Sequence, residues 1–170
     1  MIYLGRASNM ANLKDIIFYI CKNYPHKNEL SKARVTKMVY LVDWKNCLEN
    51  STQLTNIKWY FDNYGPFVED VDKEVLKQSD LFHVEHTTNF YGSSKTLYSI
   101  HKDDYTEELS ENEKKIIDMV IEKTKPLSWE GFINFIYSTY PIATSERYST
   151  LDLVSKAIQY RDELSNKPQV

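Results

Sequence analysis

The chain has 170 residues, a formal net charge of −3 at pH 7 and 42% hydrophobic residues. This length suits one domain whose core needs no metal or disulfide, so we expect residues 1–170 to form a single domain, with 1–11 as an N-terminal extension and 166–170 as a frayed tail. The acidic balance argues against a general attraction to nucleic acid or to an anionic membrane.

Apolar residues at helical spacing predict two helices in the first 50 residues. The first begins after Asn12, a favourable N-cap, and its pattern is interrupted at 25–28. Ser31 is a suitable cap for the second, central helix, which runs to about Asn50. The middle of this central helix has almost no polar stripe, so we expect other elements of the domain to enclose it.

A strand and a third helix are predicted next. Residues 57–62 alternate between apolar and polar types, which predicts a strand with Trp59 and Phe61 facing inward. Residues 64–67, Tyr-Gly-Pro-Phe, are typical of a turn that opens a helix over 68–79, with the proline in its first turn. The acidic residues that follow would repel a ligand phosphate, so no nucleotide site is expected at this helix start.

The second half of the chain predicts one hairpin and three more helices. Residues 81–88 and 95–101 are the two strands of a β-hairpin. A capping box at 110–113 begins the fourth helix, Ser128 caps the fifth, and the last spans about 153–164 after a polar loop. The predicted fold class is therefore α+β, mainly α, with about six helices and a small antiparallel sheet of two to three strands that includes the hairpin.

Asp43 stands inside the apolar run of the central helix. A buried carboxylate without partners costs several kcal/mol, so Asp43 must be paired, hydrogen-bonded or at a rim. One hypothesis makes Asp43 a functional site residue. The other gives it a structural partner, such as a tyrosine hydroxyl or a backbone N–H.

Residues 38–67 also contain a combination of short motifs: YLVDW in the central helix, the pair Leu54-Thr55, the strand beginning at Trp59, and YGPF before an acidic helix. In this order and spacing they resemble the Panacea domain, also called the SocA-like antitoxin domain. The similarity covers most of the chain, from near Asn12 to near Leu164.

The resemblance implies an antitoxin of a bacterial or phage toxin–antitoxin pair. Such a protein neutralises a cognate toxin by direct binding or by delivering it to a protease. The family has no catalytic motif, so we expect neither an enzyme nor a bound cofactor. We expect the partner-binding surface near the central helix and the turn at 64–67, and its candidate residues are Tyr40, Asp43, Trp44, Tyr60, Tyr64 and Phe67.

Aromatic residues support a protein-binding role, because the chain has thirteen Tyr, seven Phe and three Trp, and Tyr and Trp are enriched at interface hot spots. Most of them should lie in the core. Tyr60, Tyr64, Phe67 and Tyr148 fit inward positions less well, so they are candidates for an exposed aromatic patch.

Two cysteines, Cys21 and Cys47, lie in apolar helical patterns, as reduced core thiols of a cytosolic protein do. The first residues do not have the pattern of a signal peptide, and no run of about 18 apolar residues is present to span a bilayer. We therefore expect a cytoplasmic protein with no membrane partner.

Two other kinds of function remain as alternatives. The order of helices, strand, helix and hairpin also suggests a winged-helix transcriptional regulator. In such a protein the helix before the hairpin would enter the major groove of DNA, but here that helix is acidic and would be repelled by the phosphates. Nucleic acid is therefore not an expected partner. The basic cluster of Lys32, Arg34 and Lys37 is most simply a solvated helix face. The second alternative is an interaction or adaptor module without a toxin, for example a phage accessory protein.

Enzyme and metal sites have little support in the sequence. Only four glycines are present, so there is neither a phosphate-cradling loop nor a dinucleotide fingerprint. His83 and His86 are three residues apart on a predicted strand and therefore point to opposite faces. The sequence thus predicts no catalytic residue and no metal site.

Overall fold

The computed structural model describes residues 10–101 and 104–168. Within them the helices are α1 (Leu13–Asn23), α2 (Lys32–Asn50), α3 (Asp70–Lys77), α4 (Glu111–Thr124), α5 (Trp129–Ser138), α6 (Tyr140–Ala143) and α7 (Leu153–Ser165). The strands are β1 (Trp59–Asp62), β2 (Gly65–Pro66), β3 (Phe82–Thr88), β4 (Ser94–Ile100) and β5 (Ser149–Leu151). A single 3₁₀ turn lies at Lys27–Glu29.

Four helices, α1, α2, α4 and α5, begin where their capping residues predict. The side chains of Asn12, Ser31 and Ser128 each accept a hydrogen bond from a backbone N–H in the first turn of α1, α2 and α5. Ser110 and Glu113 form the reciprocal capping box of α4. Each cap satisfies backbone donors that the helix itself leaves without partners.

The central helix α2 is enclosed, as its sequence predicts. Every residue from Arg34 to Trp44 is buried. The largest sets of contacts to α2 come from α4 and α7, and α1, α3 and β4 also pack against it. An amphipathic helix buries one apolar stripe, whereas the middle of α2 is buried on all sides because other elements surround it.

The strands form two antiparallel sheets, where the sequence predicted one. In the first sheet β1 lies between β2 and β5, with Phe61 opposite Pro66 and Tyr60 opposite Thr150. The second sheet is the predicted hairpin of β3 and β4. Because β5 is only three residues of a polar segment, its sequence does not predict a strand. The fold class, α+β and mainly α, is confirmed.

The segment 64–67 corrects one prediction. Gly65 and Pro66 form strand β2 rather than the opening of a helix, and α3 begins only at Asp70. The backbone N–H of Phe67 donates to the Tyr60 carbonyl at 2.9 Å, which extends the β1–β2 pairing. Gly65 has a φ of +102°, a conformation that side-chain-bearing residues rarely adopt. The chain therefore turns back along β1 before it enters the helix.

Both ends of the predicted domain reach beyond the described residues. Residues 1–9 of the predicted extension and residues 169 and 170 of the predicted tail lie outside them. Within 166–168 every residue is exposed. No described helix combines the length and the apolar character that crossing a membrane requires.

Candidate partner-binding site

The carboxylate of Asp43 joins α2 to the segment that leads into β1. Its Oδ1 atom accepts hydrogen bonds from the backbone N–H groups of Leu54 and Thr55, each at 2.9 Å. Its Oδ2 atom accepts from the Thr55 hydroxyl at 2.5 Å, from Trp59 Nε1 at 2.8 Å and from Gln53 Nε2 at 3.3 Å. Five donors thus converge on one fully buried side chain, and the structural hypothesis for Asp43 accounts for its place in an apolar helix.

The electrostatics of Asp43 reflect two opposing effects. Burial raises the pKa of the Asp43 carboxyl to about 6, because the charged form loses its hydration. The hydrogen bonds from Thr55, Trp59 and Leu54 act in the other direction, since they favour the charged form. The network therefore stabilises a carboxylate that would be costly without it.

Two further candidate residues have structural partners in the core. The Tyr40 hydroxyl hydrogen-bonds to the Thr139 hydroxyl at 2.9 Å, and the Tyr40 ring meets the Trp59 ring edge-on at 5.6 Å. Trp44 is also buried, and its ring centroid lies 6.2 Å from that of Tyr160. Tyr40, Asp43 and Trp44 therefore lie beneath the surface, and Tyr40 and Asp43 contact β1, the strand that carries Tyr60.

Three exposed tyrosines lie on or beside the three-stranded sheet, and we call Tyr60, Tyr64 and Tyr148 the tyrosine face. Tyr60 is on the outer side of β1 and is 37% exposed, whereas Tyr64, in the turn between β1 and β2, is 80% exposed. Tyr148 precedes β5, and its hydroxyl hydrogen-bonds to Asn63 Oδ1 at 2.5 Å. The β1–β2 turn and the β5 edge are thereby tied together.

Phe67 is half-buried, and its neighbours are not those of the tyrosine face. The Lys32 ammonium is 5.9 Å from the centre of the Phe67 ring, and it also pairs with Asp72 at 3.2 Å and Glu69 at 3.7 Å. Phe67 and Lys32 line a surface depression together with Trp129. The structure therefore distributes the exposed candidates between the sheet and this depression.

The basic cluster corrects another prediction, because two of its three cations are buried. Arg34 lies 4.5 Å over the Phe132 ring, and its Nη1 donates to the Tyr24 hydroxyl at 3.1 Å. Lys37 is 3% exposed, and its burial lowers the pKa of its ammonium to about 8, against the opposing effect of Asp62. The sequence contains one indication of this burial: Arg34 and Lys37 adjoin the apolar run of α2, which is typical of an enclosed helix.

The described residues, 10–101 and 104–168, include no group of three or more His, Cys, Asp or Glu side chains that could hold a metal ion. Cys21 and Cys47 are unpaired and buried, which confirms their predicted place in the core.

Fold and network together define a mainly helical α+β domain built around an enclosed helix with an internal carboxylate. The family model described as antitoxin SocA-like, Panacea domain, matches residues 35–141, more than half of the chain, and the chain belongs to this family. The matched range contains the Asp43 network and the turn that bears Tyr64. No curated protein and no solved structure matches the chain. Membership supports an antitoxin-type role.

Proposed function

We propose that this chain is the antitoxin of a bacterial or phage toxin–antitoxin system, acts in the cytoplasm without enzymatic activity, and neutralises a cognate toxin protein by direct binding. Family membership supports the antitoxin role. The observation that supports a protein-binding surface is Tyr64, which is 80% exposed in the turn between β1 and β2. When a partner covers a large exposed aromatic side chain, apolar surface leaves water and the binding free energy becomes more favourable.

The tyrosine face has the physical properties of an interface centre. Tyrosine supplies a large amphipathic contact area while only two side-chain torsions lose freedom on binding. The backbone beneath it is fixed by pairing with β2 and β5. Such preorganisation lowers the entropic cost of association, so more of the contact energy appears as affinity.

The six candidate residues then divide into two roles. Tyr60, Tyr64 and Phe67 contact the toxin directly because they reach the surface. Tyr40, Asp43 and Trp44 keep the strand, the turn and the adjoining helices in position. In this proposal the buried motif residues act through the shape that they give to the surface.

Co-expression tests the proposal. The chain should restore growth to cells that express the protein encoded by the adjacent reading frame, and the two proteins should co-purify. If no adjacent frame is toxic, or a toxic neighbour is neither neutralised nor bound, the proposal is wrong. A host that lacks its cytoplasmic AAA+ proteases separates the two modes of action, since occlusion persists there whereas proteolytic delivery does not.

A gel shift on the upstream promoter at low and high salt tests the DNA-binding alternative in the same preparation. In the structure β1 lies in a different sheet from the hairpin β3–β4, so the hairpin does not extend the β1 sheet as a wing. Asp72 of α3 is paired with Lys32. No observation specifically favours DNA binding.

A further inference from the structure

A groove of about 490 Å³ lies between α2, α4, α5, α6 and α7, on residues that the tyrosine face does not include. Its lining is mainly apolar and aromatic, and includes Leu41, Trp44, Leu48, Val120, Phe135 and Tyr160. Met119 of α4 is at its edge and is 39% exposed. Leu41 and Trp44 belong to the YLVDW motif, so the central helix contributes to this groove as well as to the Asp43 network.

The charged residues that line the groove are all cationic. They are Lys45 and Lys123, and no Asp or Glu is among the lining residues. Lys45 pairs with Glu49 at 2.8 Å, while the Lys123 ammonium lies 5.2 Å from the centre of the Phe135 ring. An apolar floor with lysines at its rim is complementary to an apolar segment that also carries carboxylates.

We infer that this groove binds an amphipathic helical segment of the toxin, with large apolar side chains against Leu48 and Phe135 and with Asp or Glu beside Lys45 and Lys123. The inference rests on the proposed function and adds a second contact of defined chemistry to the tyrosine face. Helix-in-groove recognition uses apolar anchors at positions i, i+3, i+4 and i+7 of the bound segment.

Charge favours this occupant over the chain's own first residues, and the oligomeric state tests a second copy. Residues 1–9 of the chain contain Arg6 and no acidic residue, so the rim lysines would repel them. A second copy related by a two-fold axis would fill the groove with another of its surfaces, and each copy would do the same for the other. A head-to-tail contact between copies would generate a ring or an open filament. The oligomeric state of the chain tests both kinds of self-contact.

A pair of synthetic peptides provides the probe. One is a fluorescein-labelled amphipathic helix with Leu at the anchor positions and Glu at its flanks, and the other has Lys in place of each Glu. We expect saturable binding of the acidic peptide in fluorescence polarisation, about ten-fold tighter than the basic peptide at low salt and weaker at high salt. Equal binding of both peptides, or none, would overturn the inference.

Two pairs of substitutions locate the binding. Met119→Lys places a charge in the groove, whereas Ile158→Lys changes another exposed apolar side chain, 49% exposed on α7 and outside the lining. Lys123→Glu reverses a rim charge, and Lys77→Glu makes the same change on α3. We expect Met119→Lys and Lys123→Glu to weaken acidic-peptide binding by about ten-fold, with the two controls within about two-fold.

A neutralisation experiment with the toxin tests this inference separately from the proposed function. If the unmodified chain neutralises the toxin and Met119→Lys does so equally well, the groove is not used and the inference fails while the function stands. If no toxin is found but the peptides discriminate, the groove chemistry stands and the function fails. Tighter acidic-peptide binding after deletion of 1–9, or dimers that Met119→Lys dissociates, would assign the groove to this chain's own segment or to a second copy and overturn the inference.

Discussion

The indole N–H of Trp59 donates a hydrogen bond to Asp43 Oδ2 at 2.8 Å and so joins the first strand to the middle of the central helix. An indole N–H only donates, so this position requires an acceptor. The backbone N–H groups of Leu54 and Thr55 make the same demand on the other carboxylate oxygen. Asp43 answers all of them because an ionised carboxylate accepts at both oxygens.

Asp43→Asn should lower the free energy of unfolding by about 2–4 kcal/mol, measured by urea denaturation. The amide nitrogen of Asn would face donors in place of an acceptor, and Trp59 has no means of reversing its role. Asp118→Asn is the matched control, because Asp118 is exposed and accepts one hydrogen bond, from Tyr19 at 2.8 Å. Its cost should stay below about 1 kcal/mol. Equal costs for the two variants would contradict the role assigned to the network.

The pKa of Asp43 predicts how stability changes with pH. The folded-state pKa of about 6 lies above the ordinary value of about 3.9, so the folded state holds this proton more tightly than the unfolded state does. The resulting contribution to stability is present below about pH 4 and is lost as the pH rises through about 6, by about 3 kcal/mol in total. The difference in unfolding free energy between the natural chain and Asp43→Asn should therefore fall over this interval. Carbon-detected NMR of the carboxyl group gives an independent check, and titration below pH 4 would disprove the prediction.

Lys37→Met should stabilise the chain by about 1–3 kcal/mol at pH 7, because it removes a buried ammonium and keeps a side chain of similar length. The folded-state pKa of Lys37, about 8, lies below the ordinary value of about 10.4, so the ammonium destabilises the folded state at neutral pH and this cost disappears as the pH rises from about 8 to about 10. The advantage of the variant should shrink over the same interval. Lys32→Met, which removes an ion pair with Asp72, should be neutral or slightly destabilising. A lower melting temperature for Lys37→Met at pH 7 would show that the Lys37 ammonium has a stabilising partner.

Tyr64→Ala should weaken binding of the toxin by about ten-fold or more and leave the melting temperature within about 2 °C. The side chain is exposed, so its removal leaves no cavity in the core. Tyr91→Ala provides the control, because Tyr91 is 88% exposed in the turn between β3 and β4. Isothermal titration calorimetry and a thermal melt measure both quantities. A large fall in melting temperature for Tyr64→Ala would make Tyr64 a structural residue.

Gly65→Ala should destabilise the chain by about 1–3 kcal/mol, because its φ of +102° is unfavourable for a residue with a Cβ. The added atom would make ordinary van der Waals contacts, 3.5 Å from Ile136 Cγ2 and 3.6 Å from Lys37 Cε, so the cost comes from the backbone conformation. Gly131→Ala, inside the capped first turn of α5, should be neutral or stabilising by up to about 1 kcal/mol. Chemical denaturation of both variants checks the opposite signs, and a neutral Gly65→Ala would show that the turn relaxes without cost.

The elements that local patterns define were predicted well. Asn12, Ser31, the Ser110–Glu113 pair and Ser128 cap the helices that they were expected to cap, since capping depends on a few adjacent residues. The prediction for the segment 64–67 is wrong, because whether it opens a helix or forms a strand depends on its pairing with β1. The β5 strand was missed for the same reason: three residues of a polar loop become a strand only when β1 lies beside them.

The candidate site shows the same division. The motif between Tyr40 and Phe67 placed the chain in its family, and the apolar run around Asp43 required that this carboxylate have partners. The motif did not indicate that Leu54, Thr55 and Trp59 would be those partners, nor that Arg34 and Lys37 would be buried. Nor did it reveal the groove between α2 and α4–α7, whose lining comes from segments far apart in the chain.

The sequence by itself determined the family, the fold class, the starts of the helices with capping residues and the need to satisfy Asp43, because each depends on residue types at short spacing. The tertiary structure decided which donors satisfy that carboxylate, which candidate side chains reach solvent, and which cations lie in the core. These outcomes depend on elements that burial of apolar surface brings together. The residues that are buried together lie far apart in the chain, so no local pattern predicts their contacts.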